Sequence, residues 1–408
     1  MNDIQSTIEH VEGFNVAGTH CGLKKDGKLD FALIVSDRPC TGAGVFTTNM
    51  VKAAPIVVDE RRLDLCPESI RAVVINTGSA NACTGRKGIQ DAEVTANWVS
   101  EAIGCHSDHV LIMSTGVIGM PLPLDKIKQG VLATSTSLGN DWGATAKAIM
   151  TTDIQHKMAS STISTENDEH YTVAGISKGS GMIAPNMATM LGVITTDVSL
   201  TVAEAQSALK AAVEKSFNCI VVDGDMSTND TVFLLANGAS GVSLNTAEDR
   251  QQFQKTLDDL CRKLAQDIVR DGEGATKFIT INIEGAEDNV SAKKIASAIA
   301  TSPLVKTAFY GNDANWGRII CAAGYAGIAL DPDEMRLSFA AGEEMKDSLE
   351  LFAKGIPTDY DEAGAMDIMS NSSVSIKLDC GKNGGGSAVV WTCDLSHDYV
   401  TINGDYRT

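Results

Sequence analysis

Between Gly179 and Ala184 the chain reads G-S-G-M-I-A, a formal match to the phosphate-binding turn of a dinucleotide fold. That turn works only where it opens a helix inside a βαβ unit, with an acidic residue about 20 positions on. Asp197 stands near that distance, but Pro185 and Asn186 interrupt the helix. Without the helix the acid has no second strand to sit on, so the Rossmann sheet is rejected. Elsewhere strands and helices interleave without a βαβ rhythm or an internal repeat, which predicts a layered α/β sandwich.

The same glycines open a longer stretch, Lys178–Asp197, reading KGSGMIAPNMATMLGVITTD. Gly179 and Gly181 permit unusual backbone angles and Pro185 stiffens the approach, as a strained turn requires. At its centre Ala188 precedes Thr189. A threonine hydroxyl that attacks the preceding carbonyl moves the chain from nitrogen to oxygen, and water then splits the ester. The freed α-amine titrates near pH ~8, so Thr189 would carry a nucleophile and its own base. A small residue before threonine also suits an ordinary buried loop. From these residues alone both readings stand.

Taken in order, Phe31–Val35 and Arg71–Ile75 are apolar runs that read as strands, the second opening into a small-residue loop at Asn76–Gly85. There Thr77 or Asn81 suits a ligand, and a structural turn suits them equally. Asp91–Ile103 follows as a helix with Val94, Trp98 and Ala102 on one face. Val110–Met113 is a strand running into Ser114, Thr115 and Gly116, where a hydroxyl and a free backbone N–H can stand together as an oxyanion hole needs. Ala144–Met150 reads as a helix, Ser160–His170 as an exposed loop, and Tyr171–Ile176 as a strand delivering Lys178. Lys178 is the cation nearest Thr189 in sequence.

Further on, Thr201 with Glu204 forms a capping box ahead of an Ala205, Leu209, Ala212, Val213, Phe217 face. Cys219–Val222 is a strand ending in Asp223 and Asp225, whose spacing fails the calcium-loop pattern. Thr246–Asp249 starts a helix with a core stripe of Phe253, Leu257, Leu260, Cys261, Leu264 and Ile268. Glu273 lies in a glycine-flanked loop before the alternating strand Lys277–Glu284, a position for a site residue or a solvated carboxylate. Ser291–Thr301 is a helix stopped by Pro303. Met335–Phe339, Val374–Leu378, Ala388–Cys393 and Tyr399–Ile402 read as strands, and Gly384–Gly386 as a turn.

The chain has 408 residues, enough for two or three domain-sized cores, and a formal net charge of −19. So acidic a surface repels phosphate backbones and anionic lipid, which argues against nucleic acid and membranes as partners. Mean hydropathy is −0.01, and no apolar run approaches the ~18 residues of a membrane span. MNDIQSTIEHVEGF shows no secretory signal, and the expected compartment is the cytoplasm. None of the 10 cysteines forms C-x-x-C or pairs with histidine at zinc spacing, so buried reduced thiols and no metal are expected.

Seven further segments, in order along nearly the whole chain, give these readings a context: NTGSANACTG (Asn76–Gly85), MSTGVIG (Met113–Gly119), MTTD (Met150–Asp153), DGDMSTNDT (Asp223–Thr231), GEGATK (Gly272–Lys277), NDANWGR (Asn312–Arg318) and NGDYRT (Asn403–Thr408). With the Ala188–Thr189 stretch they resemble the ornithine acetyltransferase family, also called bifunctional glutamate N-acetyltransferase/amino-acid acetyltransferase, of arginine biosynthesis. The resemblance implies an α-β-β-α-type sandwich shared with self-processing aminopeptidases. It implies cleavage at Ala188–Thr189 into an α chain, 1–188, and a β chain, 189–408, assembled as two of each. Thr189 is then the nucleophile, Thr115 and Gly116 the oxyanion hole, and Thr152, Lys178, Thr189, Glu273, Asn403 and Thr408 the substrate-binding residues. Acetyl would pass from N²-acetylornithine to glutamate by ping-pong without a cofactor, with acetyl-CoA as a further donor in some members. The competing expectation is an N-terminal-nucleophile aminopeptidase of similar architecture.

Overall fold

A computed structural model of the chain describes residues 4–25, 27–165, 169–184, 190–382 and 384–405. Two compact units emerge. The first holds the described residues of Met1–Met182, Asn186–Asn218 and Asp225–Ile268; the second holds those of Ile183–Pro185, Cys219–Gly224 and Val269–Thr408.

The strands of the first unit are β1 (Phe14–Thr19), β2 (Phe31–Phe46), β3 (Ile70–Ser79), β4 (Val110–Val117), β5 (Lys157–Ser164), β6 (His170–Lys178) and β7 (Leu191–Thr196), then, after β8 (Ile220–Val221) of the second unit, β9 (Thr231–Ala236). They form one sheet in the order β4-β3-β2-β9-β7-β6-β5, with β1 on β2. The long strand β2 serves both halves: Phe31–Val35 pairs with β3, and Thr41–Phe46 pairs with β9. Between them the register shifts across Pro39, which has no N–H to give a ladder. Alternate residues from both halves then meet in one core, among them Ile34, Val73, Ile75 and Leu111 with Ile176, Val193 and Phe233. Each such fully buried aliphatic side chain stabilises the fold by about 2 kcal/mol relative to exposure.

Helices close both outer faces. The β2–β4 face packs Leu33, Val74 and Ile112 against Val58 of α1 (Ala54–Leu65), Ala96 and Val99 of α2 (Gly85–Ile103), and Ile127 and Val131 of α3 (Leu124–Thr136). After the short α4 (Trp142–Ala148) come α5 (Val202–Glu214) and α6 (Ala247–Arg270). Helix α5 lies against β2 and β9, and a side chain at Gly175 would touch Leu260 and Leu264 of α6. The result is the α-β-β-α layering expected. Both predicted helix starts carry their caps: Thr201 and Glu204 form a reciprocal box, and Thr246 pairs with Asp249.

In the second unit, α7 (Asn289–Ala300), α8 (Pro303–Tyr310), α9 (Trp316–Gly324) and α10 (Glu362–Ser370) pack on a sheet ordered β13-β12-β11-β14-β10-β15-β8. Its strands are β10 (Phe278–Ala286), β11 (Arg336–Ala341), β12 (Leu349–Ala353), β13 (Ile356–Pro357), β14 (Ser373–Asp379) and β15 (Gly386–Cys393), and α11 (His397–Gly404) ends the described chain. Ile279, Ile281 and Ile283 of β10 all face the core, as their alternation requires.

Several expectations are corrected. Of the expected loop Ser160–His170, the described residues Ser160–Ser164 and His170 are strand: Lys157–Ser164 pairs residue by residue with His170–Lys178, and Ile163 is buried. Tyr399–Ile402 is helix, not strand; Ser396 caps it by accepting the Tyr399 N–H, and that cap overrides the β-branched alternation. On α2 the buried face is Ala92, Ala96 and Val99, while Ala102 is exposed. Parallel crossovers also exist, β3–α2–β4 and β7–α5–β9, hidden by their antiparallel neighbours. Cys83 and Cys321 are exposed rather than buried. No helix among the described residues is long and apolar enough to cross a membrane.

Candidate active site

In the first unit the site is built where β3 and β4 run parallel and end together. Asn76, Thr77 and Gly78 lie opposite Ser114, Thr115 and Gly116. Ser114 donates to Asn76 Oδ1 at 2.6 Å, and Asn229 Nδ2 donates to the carbonyls of Ala80 (2.7 Å) and Ser114 (2.8 Å). These buried bonds fix the backbone just ahead of Thr115. Gly116 has φ +132°, and a Cβ there would stand 2.6 Å from the Gly78 carbonyl oxygen. Only glycine fits.

Lys178 ends β6 opposite Leu191 of β7, and its side chain is buried, at 2% exposure. Its Nζ donates to Thr115 Oγ1 at 3.3 Å. The Thr115 hydroxyl thus accepts from a cation through a lone pair, and its O–H can still act as a donor. The next residue, Gly179, has φ +151° and donates its N–H to Asp153 at 2.8 Å. Asp153 also accepts from Lys157 Nζ at 2.6 Å and from the Thr151 N–H at 2.9 Å. Thr152 Oγ1 and Ser180 Oγ are 2.7 Å apart. Lys24 is a second cation in the same electrostatic environment: burial first, and then the charges of Lys28 and Lys178, bring it down to about 8 against the pull of Asp30 and Asp153.

Burial pushes the Asp153 carboxyl up, but the charges of Lys157 and Lys178 with the hydrogen bonds from Lys157 and Gly179 outweigh it and hold it at about 2. The folded value is therefore below the ordinary one. Its stabilisation, roughly 2 kcal/mol, is complete above pH ~4 and disappears as pH falls from there through the folded value. Urea unfolding on the acid side is expected to show this loss in the natural chain, and a flatter pH dependence in Asp153→Asn.

In the second unit Glu273 is buried and accepts from Asn403 Nδ2 at 2.7 Å. Asp394 clamps the loop's far end through the Thr276 N–H and Lys277 N–H, both at 2.8 Å, while Ser396 Oγ donates to Gly274 O at 2.6 Å. Helix α11 thereby carries Asn403 to the carboxylate. The Asp223 loop takes a structural role: Asp223 Oδ1 accepts the Ile183 N–H at 2.8 Å and Oδ2 accepts from the Tyr399 hydroxyl at 3.2 Å.

The first unit thus brings Thr115, Gly116 and Lys178 together, with Thr152 on Ser180, and the second brings Glu273 to Asn403. Ala188, Thr189 and Thr408 lie outside the described residues. Thr77 donates to Ala148 O and Asn81 to Gly88 O, both inside the fold, so the turn reading holds for them. Sequence reasoning missed Asp153, Asn229, Asp230 and Asp394. The first three lie inside the MTTD and DGDMSTNDT motifs, whose polar residues were the available signal.

A layered sandwich with two buried polar clusters defines an α/β enzyme rather than a nucleotide-binding sheet. The profile of the ArgJ family matches residues 15–408. The arginine biosynthesis bifunctional protein ArgJ, mitochondrial, of Yarrowia lipolytica is 45% identical over 414 residues, spanning 99% of this chain and 96% of its own. The protein of that name from Candida albicans (strain WO-1) is 47% identical over 97% of this chain and 94% of its own. The crystal structure of the bifunctional protein argJ of Bacillus halodurans is 37% identical, covering 52% of this chain and 96% of that one with a TM-score of 0.46. The chain belongs to the ArgJ family, the ornithine acetyltransferase family its motifs resemble, and is an acetyltransferase of arginine biosynthesis.

The compartment must be corrected. Relatives along the whole chain are named mitochondrial, which points there and not to the cytoplasm. A search for a basic, apolar secretory signal says nothing about import into an organelle, whose signals are built differently.

Proposed function

We propose that the chain cuts itself between Ala188 and Thr189 and then carries acetyl from N²-acetylornithine to glutamate on the Thr189 hydroxyl. The observation that carries this reading is the buried Lys178–Thr115 contact beside Gly116. The α-amine of Thr189 takes the hydroxyl proton as Oγ attacks the acetyl carbonyl. The Thr115 O–H and Gly116 N–H hold the oxyanion, and ornithine leaves with the proton. Glutamate's amine then attacks the acetyl ester. Lys178 holds the α-carboxylate that both substrates share, together with Thr152 and Thr408. Glu273, kept in place by Asn403, is a further substrate-binding residue whose carboxylate suits an ammonium group such as ornithine's. This route calls on no cofactor, and acetyl-CoA is a second donor to the same hydroxyl. The chains ending at Ala188 and beginning at Thr189 assemble as two of each.

Intact mass with amino-terminal sequencing tests the cut, and isotope-labelled acetylornithine tests the chemistry. Label appearing in N-acetylglutamate supports transfer, whereas label released chiefly as acetate would make the protein a hydrolase. Asn403→Ala removes a hydrogen bond to a carboxylate, so KM for acetylornithine is expected to rise roughly 10-fold with kcat little changed, in steady-state assays.

A further inference from the structure

The fully buried carboxylate of Asp30 holds the segment 21–24 just ahead of β2. Its Oδ1 accepts the Cys21 N–H at 2.7 Å, and its Oδ2 accepts the N–H of Leu23 at 2.7 Å and of Lys24 at 2.9 Å. The segment is thereby pressed onto the end of β3: at Gly78, φ +112°, a Cβ would stand 3.1 Å from the Leu23 carbonyl oxygen. From there the half-buried Lys24 side chain reaches the last carbonyl of α4. Its Nζ donates to Ala148 O at 3.5 Å and to Leu29 O at 2.7 Å. Thr77 Oγ1 donates to the same Ala148 oxygen at 2.7 Å. Thr77 stands opposite Thr115 in a parallel register, so their side chains share one face. On that face Thr115 accepts from Lys178. Lys24 and Lys178 therefore bring two cations to one face of the β3–β4 end.

Among the described residues no carboxylate forms an ion pair with Lys24, whose Nζ has only the two carbonyls. The carboxylates whose charge it feels are Asp30 and Asp153, and both are spent elsewhere. Asp30 serves the N–H groups of the segment and His20, and Asp153 serves Lys157, Thr151 and Gly179. Burial has taken water from the Lys24 ammonium, and neutral carbonyls replace it poorly. Such a cation favours an arriving anion.

We infer that Lys24 holds the side-chain carboxylate of the acetyl acceptor, glutamate, an assignment that rests on the transfer reading above. Both substrates bring an α-carboxylate, and one cation, Lys178, serves it. Glutamate alone brings a second carboxylate; N²-acetylornithine carries an ammonium at that end. Two cations on one face match a dicarboxylate, so Lys24 works in the second half-reaction and is idle in the first.

Steady-state kinetics with both substrates varied test this, because in a ping-pong scheme each kcat/KM reports its own half-reaction. Lys24→Met keeps the length and loses the charge. Its kcat/KM for glutamate should fall at least ~10-fold, while that for acetylornithine stays within about 2-fold. Lys24→Arg, which keeps a charge, should recover most of the loss. With 2-aminobutyrate, an acceptor that has no side-chain carboxylate, the Met variant should match the natural chain. A Met variant that uses glutamate as before, or loses both kcat/KM values together, overturns the assignment. If the Met variant fails to fold, protection of the natural chain decides. Lys24 is methylated with formaldehyde and borohydride and followed by peptide mass. Glutarate, which is glutamate without its amine, should slow its labelling at least ~3-fold; butyrate should not, and equal labelling with all three additions (glutarate, butyrate, none) overturns it. A natural chain that moves no acetyl to glutamate defeats the transfer reading itself. Transfer by the natural chain beside an unaffected Met variant defeats only Lys24.

Discussion

Thr189→Ala is expected to leave one unbroken chain with no measurable acetyl transfer. In the proposed mechanism the hydroxyl it removes does two jobs, first on the Ala188 carbonyl and then on the substrate's acetyl group. Deleting a catalytic nucleophile costs roughly 10⁴-fold or more, so the residual rate should fall below detection in a coupled assay. Thr189→Ser separates the jobs from the methyl group: it keeps the hydroxyl and should still be cut, though slowly, because the methyl no longer restricts its rotamer. A Thr189→Ala chain found in two pieces, or one that transfers acetyl normally, would remove Thr189 from both steps.

Gly116→Ala should have the next largest effect, and for a reason the backbone dictates. At φ +132° a methyl group at 116 points into the Gly78 carbonyl on the neighbouring strand. Strands β3 and β4 must part or Gly116 must turn, and either movement takes its N–H away from the oxyanion it is proposed to hold. Losing one such donor costs about 10²–10³ in kcat, here accompanied by a lower melting temperature. Thr115→Val is the companion variant. It removes the hydroxyl without touching the backbone, so kcat should fall by a similar factor while the melting temperature hardly moves. Equal kcat in all three proteins would show that the oxyanion is held elsewhere.

Local chemistry made much of the fold readable. The Ile279, Ile281, Ile283 alternation and the Thr201–Glu204 box each concern neighbours along the chain, and each stands as expected. Where local signals competed, the chain misled: Tyr399–Ile402 looks like strand until Ser396 is seen to cap it. Thr115 and Lys178 were picked from their motifs, but their meeting spans 63 positions and depends on strand order, which no spacing encodes. Asn229 bridges Ala80 and Ser114 across still longer separations. Its value emerges only once β9 is known to lie beside β2 and β7.

That order, β2-β9-β7-β6, has a consequence for the proposed cut at Ala188–Thr189. Two ribbons from beyond position 188 are sandwiched between two from before it, zipped by Thr41–Phe46 on one flank and Val173–Lys178 on the other. Neither fragment can complete the array by itself. Under the proposed cut at Ala188–Thr189, scission would be a one-way door: a polypeptide that reached its shape in a unimolecular search would become a pair whose reassembly, once denatured, depends on collision and dilution.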